Sequence, residues 1–282
     1  MFKFFRSLLF PTAPTLPVDP PTVTKGPYKY GLCIGINKFY ETSNNLRGCV
    51  NDANAGKALL QRRGFTVQSL LDSNATRAKI LESLYSLQNK AQIGDEVFIT
   101  LSSHGSHIDD ENGDEIDQLD ETWVTHDMKH IIDDELRSII DGFKDGVKIT
   151  VISDSCHSGT ITRSLLSTVN SDQYIIPKYL PPNEDYIAVR SAGKVTKDIN
   201  TETMKEVVLT GCSAAEFSYD ARIGSKFRGV LSYYTFKILE NNPDITYREL
   251  HEKLRRSLPS RDFPQSPQLE GKEENLNQKV FS

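Results

Sequence analysis

The sequence predicts an α/β protein in which a mostly parallel sheet is flanked by helices on both faces, and three observations carry that reading. Strand-like and helix-like periodicity alternate four times between residues 28 and 160, the rhythm of strands joined by helical crossovers. Two of the strand-like runs, 97–101 and 147–152, are dominated by apolar and β-branched residues, as buried strands are. Both then break into small polar residues, Ser102-Ser103-His104-Gly105 and Ser153-Asp154-Ser155-Cys156. Ligands of such sheets bind beyond the carboxyl ends of the strands, where His104 and Cys156 both fall.

Taken in order, residues 30–36 read as a buried first strand. Residues 46–53 lead into a helix in which Val50, Ala53 and Leu60 share a face, and Gly64 closes it because a residue without Cβ suits the C′ position. Residues 65–71 form a second strand, and Thr76 caps a helix with Ile80, Leu81, Leu84 and Leu87 at helical spacing. The His104 strand, an acidic loop, a helix through Leu136, Ile139, Ile140 and Phe143, and the Cys156 strand follow. Periodicity then disappears over 163–206 amid Pro, Ser, Asn and charge, the mark of a long loop or linker. It resumes with a strand at 207–210 and a helix around Leu231, Tyr234 and Ile238. A capping box, Thr246-x-x-Glu249, opens a helix striped by Tyr247, Leu250, Leu254 and Leu258, and 265–271 is an edge segment.

At 282 residues, 38% apolar and 25% charged, the chain suffices for one large α/β domain or two small ones. A net charge of −5 gives no reason to expect nucleic acid or an anionic membrane as the main partner, since those call for a basic face. Four cysteines without a C-x-x-C argue against a disulfide framework or zinc ribbon and point to a reducing, cytoplasmic setting. Residues 1–27 are an apolar, then Pro-rich extension, too short and interrupted to span a membrane and without a signal-peptidase site.

Cys156 alone would more often be a small buried hydrophobe, but Asp154, Ser155, His157, Ser158 and Gly159 do not fill cores. At a strand edge the thiol would be partly exposed and near imidazole, the surroundings that generate thiolate. His104 is the candidate base. The backbone N–H groups of Gly105 and Cys156 are the candidate oxyanion hole for acyl transfer. His157 is a rival base, which strand alternation points away from the thiol.

These residues resemble a known family. S-S-H-G at 102–105, D-S-C-H-S-G at 154–159, L-R-G-C-V-N-D-A at 46–53 and G-C-S-A-A-E-F-S-Y-D at 211–220 are similar to metacaspases and their bacterial relatives, the orthocaspases, from about residue 28 to 271. The resemblance implies a caspase-like sandwich with a six-stranded, mostly parallel sheet. It also implies a Cys/His endopeptidase that cleaves protein or peptide substrates after Arg or Lys and works as a monomer. Residues 28–162 and 207–282 then correspond to large and small subunits of one domain. The linker 163–206, read as exposed and carrying Arg163, Lys178, Arg190, Lys194, Lys197 and Lys205, is where self-cleavage would fall.

The family's pocket for the basic side chain maps onto Cys49, Asp52, Ser102 and Asp154. Two carboxylates in a cleft would pair with a cation and repel an acid, while helix capping is the competing role for Asp52. Ser218 and Asp220 match a later family motif near the cleft. The loop at 109–121 holds eight carboxylates and no Lys or Arg; such a run is usually solvated and departs from an EF-hand. Family calcium ligands map onto Asp120, Asp133 and Asp134, but Arg163 stands where the family often has a further carboxylate, which would weaken a calcium site. The competing readings are a caspase-like scaffold without activity and a nucleotide-binding protein, the latter lacking both G-x-G-x-x-G and a P-loop.

Overall fold

The computed structural model describes residues 27–109, 119–156, 175–181, 201–213 and 216–282. The expectations for His157, Arg163, Arg190, Lys194, Lys197 and the extension to residue 26 lie outside the described residues. The chain runs β1 (Lys29–Gly35), α1 (Cys49–Arg62), β2 (Thr66–Leu71), α2 (Arg77–Lys90), β3 (Glu96–Ser102), β4 (Gly105–Asp109), β5 (Leu119–Val124), β6 (His130–Ile132), α3 (Asp133–Asp141) and β7 (Lys148–Asp154). It continues with β8 (Ile175–Pro177), β9 (Glu206–Thr210), β10 (Tyr219–Ile223), β11 (Lys226–Gly229), α4 (Val230–Asn241), α5 (Tyr247–Arg255), β12 (Gln268–Glu270) and α6 (Glu273–Leu276).

Six strands form the main sheet in the order β12-β9-β7-β3-β1-β2. All its pairings are parallel except that of β12, the edge strand, with β9. Side chains alternate between two cores, as a period of two requires. Leu32 and Ile34 of β1, Val97, Ile99 and Leu101 of β3, and Ile149 and Val151 of β7 pack with Ile80, Leu84 and Leu87 of α2 and Ile139 and Ile140 of α3. Cys33, Phe98 and Ile152 point the other way, against Ala53, Leu59 and Leu60 of α1, Leu231, Phe236 and Leu239 of α4, and Leu250 and Leu254 of α5. Thr76 caps α2, and Thr246 and Glu249 complete the capping box of α5. Gly64 follows α1 at φ +84°, the left-handed geometry that makes glycine the residue of choice there.

Two smaller antiparallel sheets, β4-β5-β6 and β11-β10-β8, depart from the expectation of one sheet. Their strands are short, and sequences such as GSHID and LDETWV are too polar to read as strands from periodicity. The acidic run 109–121 is thus flanked by a hairpin, β4 paired with β5. The linker also needs correction. Residues 175–177 form β8, and Lys178, expected in an exposed segment, has no exposed surface. Phe143 and Leu258 are buried as expected but lie beyond the ends of α3 and α5.

Candidate active site

The site follows from strand register. Ser102 pairs with Asp154 where β3 lies beside β7, so both strands end at the same level. His104 and Cys156 each lie two residues further on, on neighbouring strand ends. One carbonyl joins the two ends: Lys178 O accepts hydrogen bonds from Gly105 N (3.0 Å) and Cys156 N (3.2 Å).

The Lys178 side chain enters a pocket made by residues from five elements. Its Nζ lies 3.1 Å from Asp154 Oδ1 and 3.8 Å from Asp52 Oδ2, and donates to Ser102 Oγ at 2.8 Å. All four residues are buried. Asp154 is held from two further sides, by Ser218 Oγ (2.6 Å) and by Ser232 N in the first turn of α4 (2.8 Å), where a helix N-terminus favours negative charge. Asp52 Oδ2 accepts from Ser102 Oγ (2.8 Å) and Gly229 N (2.7 Å). Those bonds leave its own helix, whose N-cap Gly48 has no side-chain cap, so the carboxylate faces the pocket instead of capping α1. Burial pushes Asp52 up to about 7, with the Lys178 ammonium pulling the other way. Burial pulls Lys178 down, but the groups around it, Asp154 foremost and then Cys49 and Asp52, outweigh that and hold it above the usual lysine range. Cys49, at the start of α1, is buried beside this group and its thiol is raised by that burial. Asp220 accepts from Arg47 N and from Gly48 N (2.9 Å), so it holds the turn before α1 and does not reach the lysine as a direct partner.

His104 is buried, with Nε2 2.8 Å from Asn44 O and its ring tilted against Phe39. An N–H facing that carbonyl leaves Nδ1 as the basic nitrogen, and Nδ1 has no hydrogen-bond partner among the described residues. Burial pushes His104 down to about 4, and the Lys178 charge acts in the same direction. The imidazole is therefore neutral near pH 7 and able to take a proton. Cys156, expected to be partly exposed, is instead fully buried, covered by the aromatic side chains around it, with its Sγ 2.9 Å from Glu216 O. Around it pack Tyr179, Phe217 and Tyr219, with Cys212 against the same cluster. The Cys156 thiol and burial together raise Cys212 well above the ordinary thiol range.

The segment carrying Lys178 is bound like a strand. Pro177, Ile176 and Ile175 pair antiparallel with Tyr219, Asp220 and Ala221 of β10, and Lys178 N donates to Ser218 O at 2.8 Å. Beyond the carbonyl, Leu180 N donates to Gly105 O (2.9 Å) and Ser106 Oγ to Leu180 O (2.7 Å).

Sequence reasoning missed several members of this site. Gly229 lines it so closely that a Cβ there would collide with Asp154, Lys178 and Asp52. Asn44 and Glu216 act through backbone carbonyls and leave no side-chain signal. Lys178 stood among six basic linker residues with nothing to single it out. Asp120, on β5, and Asp133 and Asp134, at the start of α3, are on adjoining elements. Among the described residues, however, no three His, Cys, Asp or Glu side chains are close enough to hold a metal.

Known proteins share this architecture. The family model described as Caspase domain matches residues 29–278, and the chain belongs to that family. Metacaspase-1 of Cryptococcus neoformans is 30% identical, the alignment covering 86% of this chain and 62% of the relative. Metacaspase-1A of Aspergillus fumigatus is 29% identical over 84% of this chain and 67% of its own. The chain therefore spans only about two thirds of the length of these relatives. The crystal structure of a Geobacter sulfurreducens protein superposes with a TM-score of 0.72 at 25% identity, covering 91% of this chain and 99% of that one. The metacaspase resemblance and the caspase-like sheet expected from the sequence are both found.

Proposed function

We propose that the chain is a latent cysteine endopeptidase that cuts after lysine or arginine through His104 and Cys156, and that its first substrate is its own Lys178–Tyr179 bond. The observation that supports this most directly is that Lys178 places its ammonium against two buried carboxylates and its carbonyl oxygen on two backbone N–H groups at once. Asp52, Asp154, Ser102 and Cys49 then line the S1 pocket, and Ser218 and Gly229 position its acids.

In the reaction, His104 Nδ1 takes the Cys156 thiol proton as sulfur adds to the Lys178 carbonyl carbon. The developing oxyanion is held by Gly105 N–H and Cys156 N–H. The C–N bond breaks, the imidazolium gives its proton to the Tyr179 amine, and a thioester remains. Water, deprotonated by His104, then releases the Lys178 carboxylate and regenerates the thiol. Until the first turnover the segment excludes other substrates, which makes the resting chain latent. After it, protein and peptide substrates with basic P1 residues follow.

Calcium enters the proposal as an effector and not a reactant, acting at Asp120, Asp133 and Asp134 together with further oxygens. Four free cysteines accord with work in a reducing cytoplasm, and no helix among the described residues is long and apolar enough to cross a membrane.

The test is intact-mass analysis of the full chain, with calcium and with chelator, alongside turnover of fluorogenic peptides ending in Lys, Arg and Asp. Wild type should cut itself after Lys178 and turn over the Lys and Arg peptides, and Cys156→Ala should do neither. Absence of any turnover in both conditions would leave the non-enzymatic scaffold.

A further inference from the structure

The residue after Lys178 is held as specifically as the lysine. Tyr179 is 7% exposed. Its ring stacks on His107, centroids 5.9 Å apart and planes 15° apart, and lies tilted against Phe217 at 5.9 Å. Its hydroxyl is 3.2 Å from His107 Nδ1, and burial pushes that hydroxyl up to about 12. The slot is built by the fold rather than by the segment. Gly105 pairs in parallel with Tyr179, so His107, two residues along β4, projects from the same face of the strand. Phe217 closes the other side and is itself braced edge-on by Tyr219. The next residue is held by its backbone alone: Leu180 N donates to Gly105 O and Leu180 O accepts from Ser106 Oγ.

We infer that His107 and Phe217 form an S1′ subsite selecting an aromatic residue immediately after the scissile bond, so that the preferred substrates carry a basic residue followed by Tyr or Phe. This rests on the peptidase reading above. An aromatic P1′ side chain buries its ring between two others, where offset and tilted pairs add to the burial gain. Glycine offers no ring, and glutamate would exchange the ring contacts for a desolvated carboxylate. At P2′ the Gly105 carbonyl needs an N–H, so proline there loses a hydrogen bond.

The experiment uses the full chain after it has cut its own Lys178–Tyr179 bond, the state in which the segment can leave S1 and the slot to added peptide, with and without calcium. Internally quenched peptides of the form Ile-Ile-Pro-Lys-X-Leu are supplied with X as Tyr, Phe, Gly or Glu. The expected kcat/KM for X = Tyr or Phe exceeds that for Gly by about tenfold and that for Glu by more. In a Phe217→Ala version of the same chain the Tyr-to-Gly ratio should collapse toward one. Lys-X cleavage with ratios within about twofold in the unmutated slot overturns the S1′ inference and leaves the basic P1 reading standing. A chain that cuts neither itself nor any of the four peptides overturns the peptidase reading and the subsite with it, and one that cuts itself but none of the peptides overturns the subsite alone. Because the comparison is between substrates on one enzyme preparation, partial misfolding of a variant cannot imitate the preference.

Discussion

Replacing Lys178 by Met separates a plug from a structural ion pair. Methionine keeps the length and apolar stem of the side chain and removes the charge 3.1 Å from Asp154 and 3.8 Å from Asp52. Deleting one partner of a buried ion pair costs about 3–5 kcal/mol, because the remaining charge stays desolvated. Here the chain has an alternative to unfolding: residues 175–181 can leave and let water hydrate both carboxylates. The backbone bonds of the segment to Ser218, Gly105 and β10 remain available, so the loss falls on side-chain docking. At 1.4 kcal/mol per factor of ten, the open population rises by about two to three and a half powers of ten. The assay is alkylation of Cys156 by a peptidyl-lysyl chloromethyl ketone, read as the adduct on uncut full-length mass so that self-processed chains do not count. Lys178→Met should be labelled at least about a hundredfold faster than Lys178→Arg, whose guanidinium keeps the pairing. Equal rates within threefold would refute the plug, and with it the latency.

Further outcomes follow from the same geometry. Gly229→Ala places a methyl against Asp154, Lys178 and Asp52, and turnover of P1-lysyl peptides should fall by at least about a hundredfold with little change in far-UV circular dichroism, an overpacking cost of about 1–3 kcal/mol being tolerable to the fold. Asp154→Asn removes the closest carboxylate, so kcat/KM for lysyl peptides should drop by two powers of ten or more, about the cost of a lost charged partner; undiminished turnover would remove Asp154 from the pocket. His130 is buried, bonded to Thr122 through Nδ1 and held down to about 4 mainly by burial. Below an unfolded-state value of about 6.5 the unfolded chain takes up a proton that the folded one refuses, so stability present above pH 6.5 is lost as pH falls toward 4. Denaturant melts should therefore show His130→Gln losing about 2–3 kcal/mol less than wild type between those limits, and parallel curves would exclude the linkage. Calcium in excess over chelator should accelerate self-cleavage, and Asp134→Asn should blunt the response; identical rates with and without the ion would remove calcium from the scheme.

Much of this was legible in the sequence because it is written in periodicity and punctuation. Alternating apolar runs specify β1, β3 and β7 and both faces they bury, and the abrupt change to S-S-H-G and D-S-C-H puts a histidine and a cysteine at strand ends. The register Ser102 to Asp154 then follows from burial, since a one-residue slip would turn every core side chain outward. The capping box at Thr246 and the glycine after α1 are equally local.

What the tertiary structure alone decided is which groups meet across long sequence gaps. Strand pairing and helix packing bring Asp52, Ser102, Asp154, Ser218 and Gly229 around one point, and nothing in the linker's composition distinguishes Lys178 from its basic neighbours. Its selection depends on chain path: only a segment pairing with β10 reaches the two backbone N–H groups with its carbonyl and the carboxylates with its side chain. Backbone partners such as the Asn44 and Glu216 carbonyls carry no side-chain signature, so a sequence singles out His104 and Cys156 as candidates while the folded chain alone sets what orients them and what lies between.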